Sequence, residues 1–155
     1  MPTAWRIVSR ARAEQAFEGE GARLFGGRWN SPGVSVVYAA DSRALAALEL
    51  LVHLNRSNPS VRFVRFRVDF PAGLVSRPEL SRYLESVVTP SIDTRTQIAG
   101  DHWLATSKAP IIRVCSSIIP EEYNYLLNPK HPKFSQVSIG PPEPFAFDPR
   151  LVEAT

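Results

Sequence analysis

The chain has 155 residues, 44% of them apolar and 21% charged, which suits one globular domain spanning residues 1–155 with an ordinary core. No apolar run approaches membrane-spanning length and the start, Met1 to Arg6, lacks a signal-peptide core, so neither a membrane protein nor an exported one is expected. A net charge of +3 suits an anionic ligand but is too small and too dispersed to argue for nucleic acid, and a single cysteine, Cys115, excludes an internal disulfide framework and fits the reducing cytoplasm.

In chain order, Ala4 to Val8 predicts a short strand. Val34 to Tyr38, entered from Pro32-Gly33, predicts a second. A helix follows from Ala44 to Leu54, with Asp41 and Ser42 as good N-cap residues and neither Gly nor Pro inside it. Asn55 to Ser60 is a polar turn. Val61 to Phe70 is the clearest strand: Val64, Phe66, Val68 and Phe70 alternate with Arg65, Arg67 and Asp69, and Pro71 stops it. Pro78 to Val88 suggests a short helix and Thr89 to Ala105 another. Ile111 to Val114 and Gln136 to Ile139 are further short strands, and Phe145 to Phe147 an edge strand among prolines. Strands mixed with helices that do not alternate regularly predict an α+β fold with a central sheet rather than a doubly wound one.

Glu49 is the only charged residue in its helical run, which is apolar almost all the way round and is therefore expected to be largely buried. Leu45, Leu48 and Val52 share its stripe. A carboxylate there is costly to bury unless paired or hydrogen-bonded. It reads either as a structural or edge carboxylate or as a catalytic or ligand-binding acid, and the helix alone leaves both open. The stretch before it, Gly19 to Gly33, holds five glycines and a proline, the mark of unusual backbone dihedrals or of close approach to a ligand. Arg28 lies in its middle between Gly27 and Trp29. Such an arginine suits bidentate binding of phosphate, or is simply a solvated loop residue. The stretch matches neither the P-loop nor the dinucleotide fingerprint.

Other candidates are weaker alone. Cys115 follows a strand-like run and reads as a small buried hydrophobe. His53, His102 and His131 lack metal-ligand spacing, so no metal site is expected. There is no Gly-x-Ser-x-Gly elbow. Ser116, just after a strand, could face a pocket. Asn124 and Asn128 could bind a ribose hydroxyl or close a turn before Pro129.

Taken together, these pieces resemble a known family. Gly19-x-Gly21-Ala22, Gly27-Arg28-Trp29-Asn30-x-Pro32-Gly33, Val37-Tyr38-Ala39-Ala40 and Ala46 to Leu54 look like the first half of a RES domain. Val114-Cys115-Ser116, Pro120, Asn124-Tyr125-Leu126 and Asn128 to Pro132 look like its second half. Arg28, Glu49 and Ser116 stand at the positions of the Arg, Glu and Ser that name the family. Cys115 stands where the family usually has Pro. The resemblance implies an ADP-ribosyltransferase-like fold and a bacterial toxin of a type II toxin–antitoxin pair that acts on NAD, by hydrolysis, phosphorolysis or transfer of ADP-ribose to a protein. It implies Arg28 and Glu49 as catalytic residues, NAD as substrate without a metal, and a helix-turn-helix (Xre-type) antitoxin over the active cleft. A homo-oligomer and a protein acceptor of ADP-ribose stay open.

The residues fit that chemistry. Breaking the nicotinamide–ribose bond passes through an oxocarbenium-like state, as in glycoside hydrolysis. Glu49 would bind the ribose and stabilise the developing charge. Arg28 would hold the pyrophosphate side. Tyr38 would stack on nicotinamide, and Ser116 and Asn124 would be polar binding groups. Ser116 has no partnering base that would make it a nucleophile. Two other classes remain: a nucleic-acid-directed toxin using Arg62, Arg65 and Arg67, which read more simply as the wet face of a strand, and a non-catalytic partner-binding module.

Overall fold

The alternation of Val64, Phe66, Val68 and Phe70 sets the middle of the fold. In the computed structural model, which describes residues 1–54, 60–77 and 94–152, all four are buried. The strands among these residues are β1 (Thr3–Ser9), β2 (Val37–Ala40), β3 (Phe63–Asp69), β4 (Val75–Ser76), β5 (Ile111–Cys115), β6 (Tyr123–Leu127), β7 (Ser138–Ile139) and β8 (Glu143–Phe145). The helices are α1 (Glu20–Phe25), α2 (Arg43–Leu51), α3 (Thr94–Thr106) and α4 (Pro149–Val152). The strands form one sheet in the order β4-β5-β6-β2-β1-β3-β7, with β8 also on β3. All pairings are antiparallel except β4 with β5. The α+β expectation is met.

Residues directly opposite one another in an antiparallel pair point to the same face, so the register sorts the core. One face carries Ala4, Val37, Ala39, Val68, Tyr125 and Leu127, packed with Phe70, Leu74 and Val137. The other carries Tyr38, Ala40, Ile112, Val114 and Leu126. Two helices share this second face. α2 lays Leu45 and Ala46 on Ile7 and Ala40. α3 lays Trp103 on Ile112, Val114 and Leu126, with Trp29 beside it.

The helix of Glu49 starts where expected: the Ser42 hydroxyl accepts the Leu45 N–H at 3.0 Å, a side-chain N-cap. It is less buried than its composition predicts. Leu45 and Ala46 are buried, whereas Leu48 is 36% and Val52 61% exposed. Among the described residues the sheet lies against one side of this helix only. Other boundaries moved. The strand expected at Val34–Tyr38 is Val37–Ala40, because Gly33 turns the chain at φ +100° and pairing with β6 begins only at Val37. The Val61–Phe70 strand is trimmed to Phe63–Asp69, and Gln136 ends a 3₁₀ turn (Pro132–Gln136), so only Ser138–Ile139 of its run is strand. The edge strand lies at Glu143–Phe145, ahead of Phe147, whose ring instead meets Phe145 and Phe63 edge-on. The helix expected over Thr89–Ala105 is described from Thr94 as α3. The turn at Asn55–Ser60, apart from Ser60, and the helix expected over Pro78–Val88 lie outside the described residues. The sequence reading missed α1, the 3₁₀ helix Arg10–Gln15 and, centrally, β6.

Candidate active site

Glu49 leaves α2 towards the second face of the sheet and meets Asn124 there. Asn124 lies opposite Ala40 on β2 and Val114 on β5, and its Nδ2 donates to Glu49 Oε1 at 2.7 Å. The Ser116 hydroxyl donates to the same oxygen, also at 2.7 Å. Both neutral donors therefore act on one carboxylate oxygen, and Oε2 has no partner among the described residues. Three of the sequence-predicted residues, far apart in the chain, are thus brought together. Asn124 Oδ1 is buried and has no partner among the described residues.

Ser116 sits differently from expectation. It is fully buried rather than facing an open pocket. Its Oγ also accepts the N–H groups of Ile118 and Ile119, each at 3.1 Å, and its own N–H donates to Glu122 O. A hydroxyl that donates once and accepts twice is fully used. It anchors the turn after β5 and steadies Glu49, so it has no lone pair left for attack. These bonds form the turn without a proline before the serine. Cys115 ends β5 opposite Tyr123 and is half-buried rather than the buried hydrophobe expected. Asn128 took the turn-closing role: its Oδ1 accepts the Lys130 N–H and its Nδ2 donates to Leu104 O.

The glycine-rich stretch has more structure than an irregular loop. It enters α1 through Gly19 at φ +76°, where a Cβ would come within 2.9 Å of Val36 N, and leaves it through Gly26 at φ +73°. Gly27 to Asn30 then form a tight bridge, with Gly27 N–H donating to Asn30 O. Asn30 is fully buried. Its Nδ2 donates to Ala22 O at 2.8 Å and Val34 O at 3.0 Å, and its Oδ1 accepts the Tyr38 hydroxyl at 2.6 Å. Tyr38 OH in turn accepts the Trp29 N–H at 3.1 Å. Burial pushes the Tyr38 phenol well above its ordinary range, so it stays a neutral donor. Its hydroxyl braces the loop; only the half-buried ring remains for stacking.

From the other side, α3 holds the same loop. Thr96 donates to Arg28 O, Gln97 Nε2 donates to Gly27 O at 3.0 Å, and Asp101 Oδ1 accepts the Ser31 N–H at 2.9 Å. Gly100 permits this approach, since a Cβ there would lie 1.7 Å from Trp29 O. Thr96, Gln97, Gly100 and Asp101 were not singled out in the sequence, and Asn30 was noted only as part of the glycine-rich motif. The one available signal was Gln97, Gly100 and Asp101 sharing a helical face at spacings of three and four.

Tyr38 and Ala40 project from the same face of β2 two residues apart, about 7 Å at the rise of a strand. Ala40 is the register partner of Asn124. The hydroxyl bracing the Arg28 loop and the amide holding Glu49 therefore rise from neighbouring positions of one surface, between α2 and α3. Arg28 itself is half-buried. Beneath β2, Arg6 Nη1 donates to Tyr38 O at 2.8 Å and its Nε to Ala16 O at 2.7 Å; burial lowers its pKa to about 10.

Among the described residues no group of three or more His, Cys, Asp or Glu could hold a metal, and no helix is long and apolar enough to cross a membrane. Arg65 pairs with Glu143 and Arg67 with Asp69, each at 3.0 Å, which fits the wet face of a strand. A groove of about 940 Å³ lined by Arg10, Phe63, Phe145 and Phe147 lies elsewhere and borders none of the predicted site residues.

Comparison with known proteins bears on this arrangement. The RES domain profile matches residues 3–148. The "Prs ADP-ribosylating toxin" of Sphingobium sp. (strain YBL2) is 33% identical, the match covering 96% of this chain and 95% of that protein. "Toxin Res" of Yersinia enterocolitica is 34% identical over 95% of this chain and 97% of its own length. Among solved structures, the M. tuberculosis MbcT–MbcA toxin–antitoxin complex contains a chain that superposes with a TM-score of 0.71 at 19% identity, over 97% of this chain and 86% of that one, a likeness of fold. On the strength of the profile and these relatives, the chain belongs to the RES domain family.

Proposed function

We propose that this protein is a toxin that consumes NAD by breaking the bond between nicotinamide and ribose, and that Glu49 and Arg28 carry the reaction. The observation that supports this best is the Glu49 carboxylate: one oxygen fixed by Ser116 and Asn124, the other left for a ligand. As the C1′–N bond breaks, its electron pair leaves with nicotinamide and positive charge builds on the ribose. A preorganised carboxylate stabilises that charge without having to reorient. Water, phosphate or a protein side chain then attacks C1′ and releases its proton to solvent. Arg28, on a braced loop rising from the same sheet surface, would fork onto the pyrophosphate. Asn124 borders the ribose side, and the exposed part of the Tyr38 ring offers a stacking surface.

The name of the Sphingobium relative favours transfer of ADP-ribose to a protein over simple hydrolysis. The neighbouring fold was solved as a toxin–antitoxin complex, and a cognate antitoxin covering this cleft, of the Xre helix-turn-helix type, would keep the toxin silent in the cytoplasm. Exposed Leu24 and Phe25, at the end of α1 just ahead of Gly26, would offer that partner an apolar seat. The test is nucleotide analysis of NAD incubated with the purified protein, with and without phosphate and candidate acceptor proteins. Release of nicotinamide confirms the reading, and the accompanying product separates hydrolysis, phosphorolysis and transfer. NAD that stays intact under all these conditions rejects it.

A further inference from the structure

Arg28 has two peptide units around its Cα, and both are held from outside the loop. In the unit before it, Gly27 O accepts from Gln97 Nε2. In the unit after it, Arg28 O accepts from the Thr96 hydroxyl and Trp29 N–H donates to the Tyr38 hydroxyl. Rotation about φ or ψ of Arg28 would break bonds on one side or the other. Thr96 is buried, at 3% exposure, and Gly100 brings the helix backbone against Trp29, so the brace is packed as well as bonded.

We infer that Thr96 and Gln97 on α3 are positioning residues for Arg28, fixing the backbone from which its side chain reaches without touching the substrate. Fixing φ and ψ fixes the direction of the Cα–Cβ bond. A planar fork must be aimed, because its paired N–H groups match two anionic oxygens only in one orientation. Arg28 therefore reaches for its ligand from a fixed Cα–Cβ direction, with less backbone freedom lost on binding.

This inference rests on the proposed binding of NAD through Arg28, and its test is built to separate the two. Thr96→Val keeps the shape and removes the hydroxyl; Thr96→Ser keeps the hydroxyl. Gln97→Met removes the other donor from a half-buried position, where the fold tolerates it. NAD affinity measured by calorimetry should fall about tenfold in Thr96→Val and Gln97→Met, since small misplacements of a binding group carry losses of this order or larger. Thr96→Ser should stay near the parent. In an Arg28→Ala background, Thr96→Val should change affinity no further, because residues acting through one group are not additive. A full additional loss in that background overturns the inference, as does unchanged affinity in both single variants. If the parent protein binds no NAD, the proposed function fails instead. The brace is then judged by ¹⁵N relaxation of the Trp29 amide and the Arg28 Nε: added fast motion in Thr96→Val supports it, and unchanged motion overturns it.

Discussion

Replacing Glu49 by glutamine changes one charge and very little shape. The glutamine carbonyl can take the place of Oε1 and accept the same two donors, Ser116 Oγ and Asn124 Nδ2, each 2.7 Å away. What is lost is the charge-assisted character of those bonds, worth about 1 kcal/mol more per bond than neutral ones, so about 2 kcal/mol at most. Relief of a half-buried charge offsets part of that. At about 2–4 °C per kcal/mol for a chain of this size, the midpoint of thermal unfolding should fall by no more than about 8 °C. The effect on chemistry is of another order. Removing a preorganised charge from a site where positive charge develops lowers the rate about a hundredfold or more, some 2.7 kcal/mol of barrier. Circular dichroism for the midpoint and chromatographic loss of NAD for the rate, on the same preparation, separate the two effects. A folded Glu49→Gln protein that turns over NAD within a few-fold of the parent would refute the assignment.

Ser116→Ala should destabilise by about 2–4 kcal/mol, because it strands the Ile118 and Ile119 amides as well as loosening Glu49, and should leave measurable NAD turnover. Complete loss of turnover with unchanged stability would instead make the hydroxyl a reacting group. Arg28→Lys should weaken NAD binding at least about tenfold, a point charge replacing a planar fork, with no change in unfolding midpoint; equal affinity would return Arg28 to the role of a solvated loop residue. Gly100→Ala should be among the most damaging small substitutions, by about 3 kcal/mol or more, since its methyl would meet Trp29 O at 1.7 Å. A chemical denaturation midpoint near that of the parent would show that α3 and the loop approach less closely.

Much of the architecture could be read from short-range physics. Alternation in Val64 to Phe70 requires a strand with one buried face, and Ser42 followed by an apolar run without Gly or Pro requires a capped helix. The glycines marked a special backbone, and Glu49 announced itself as the one charge in an apolar helix. The sequence could not reveal β6, because Tyr123-Asn124-Tyr125 has no clear period and becomes a central strand only when β2 and β5 supply its hydrogen bonds on both sides. Nor could it show that Ser116 and Asn124 share one oxygen of Glu49 across separations of 67 and 75 residues. The same holds for the bracing of Arg28 by Thr96 and Gln97. Residue type and spacing along one helix or strand are local quantities and are written in the chain. Which donor meets which acceptor depends on sheet order and on helices crossing a shared face, and those are decided only when the whole core packs.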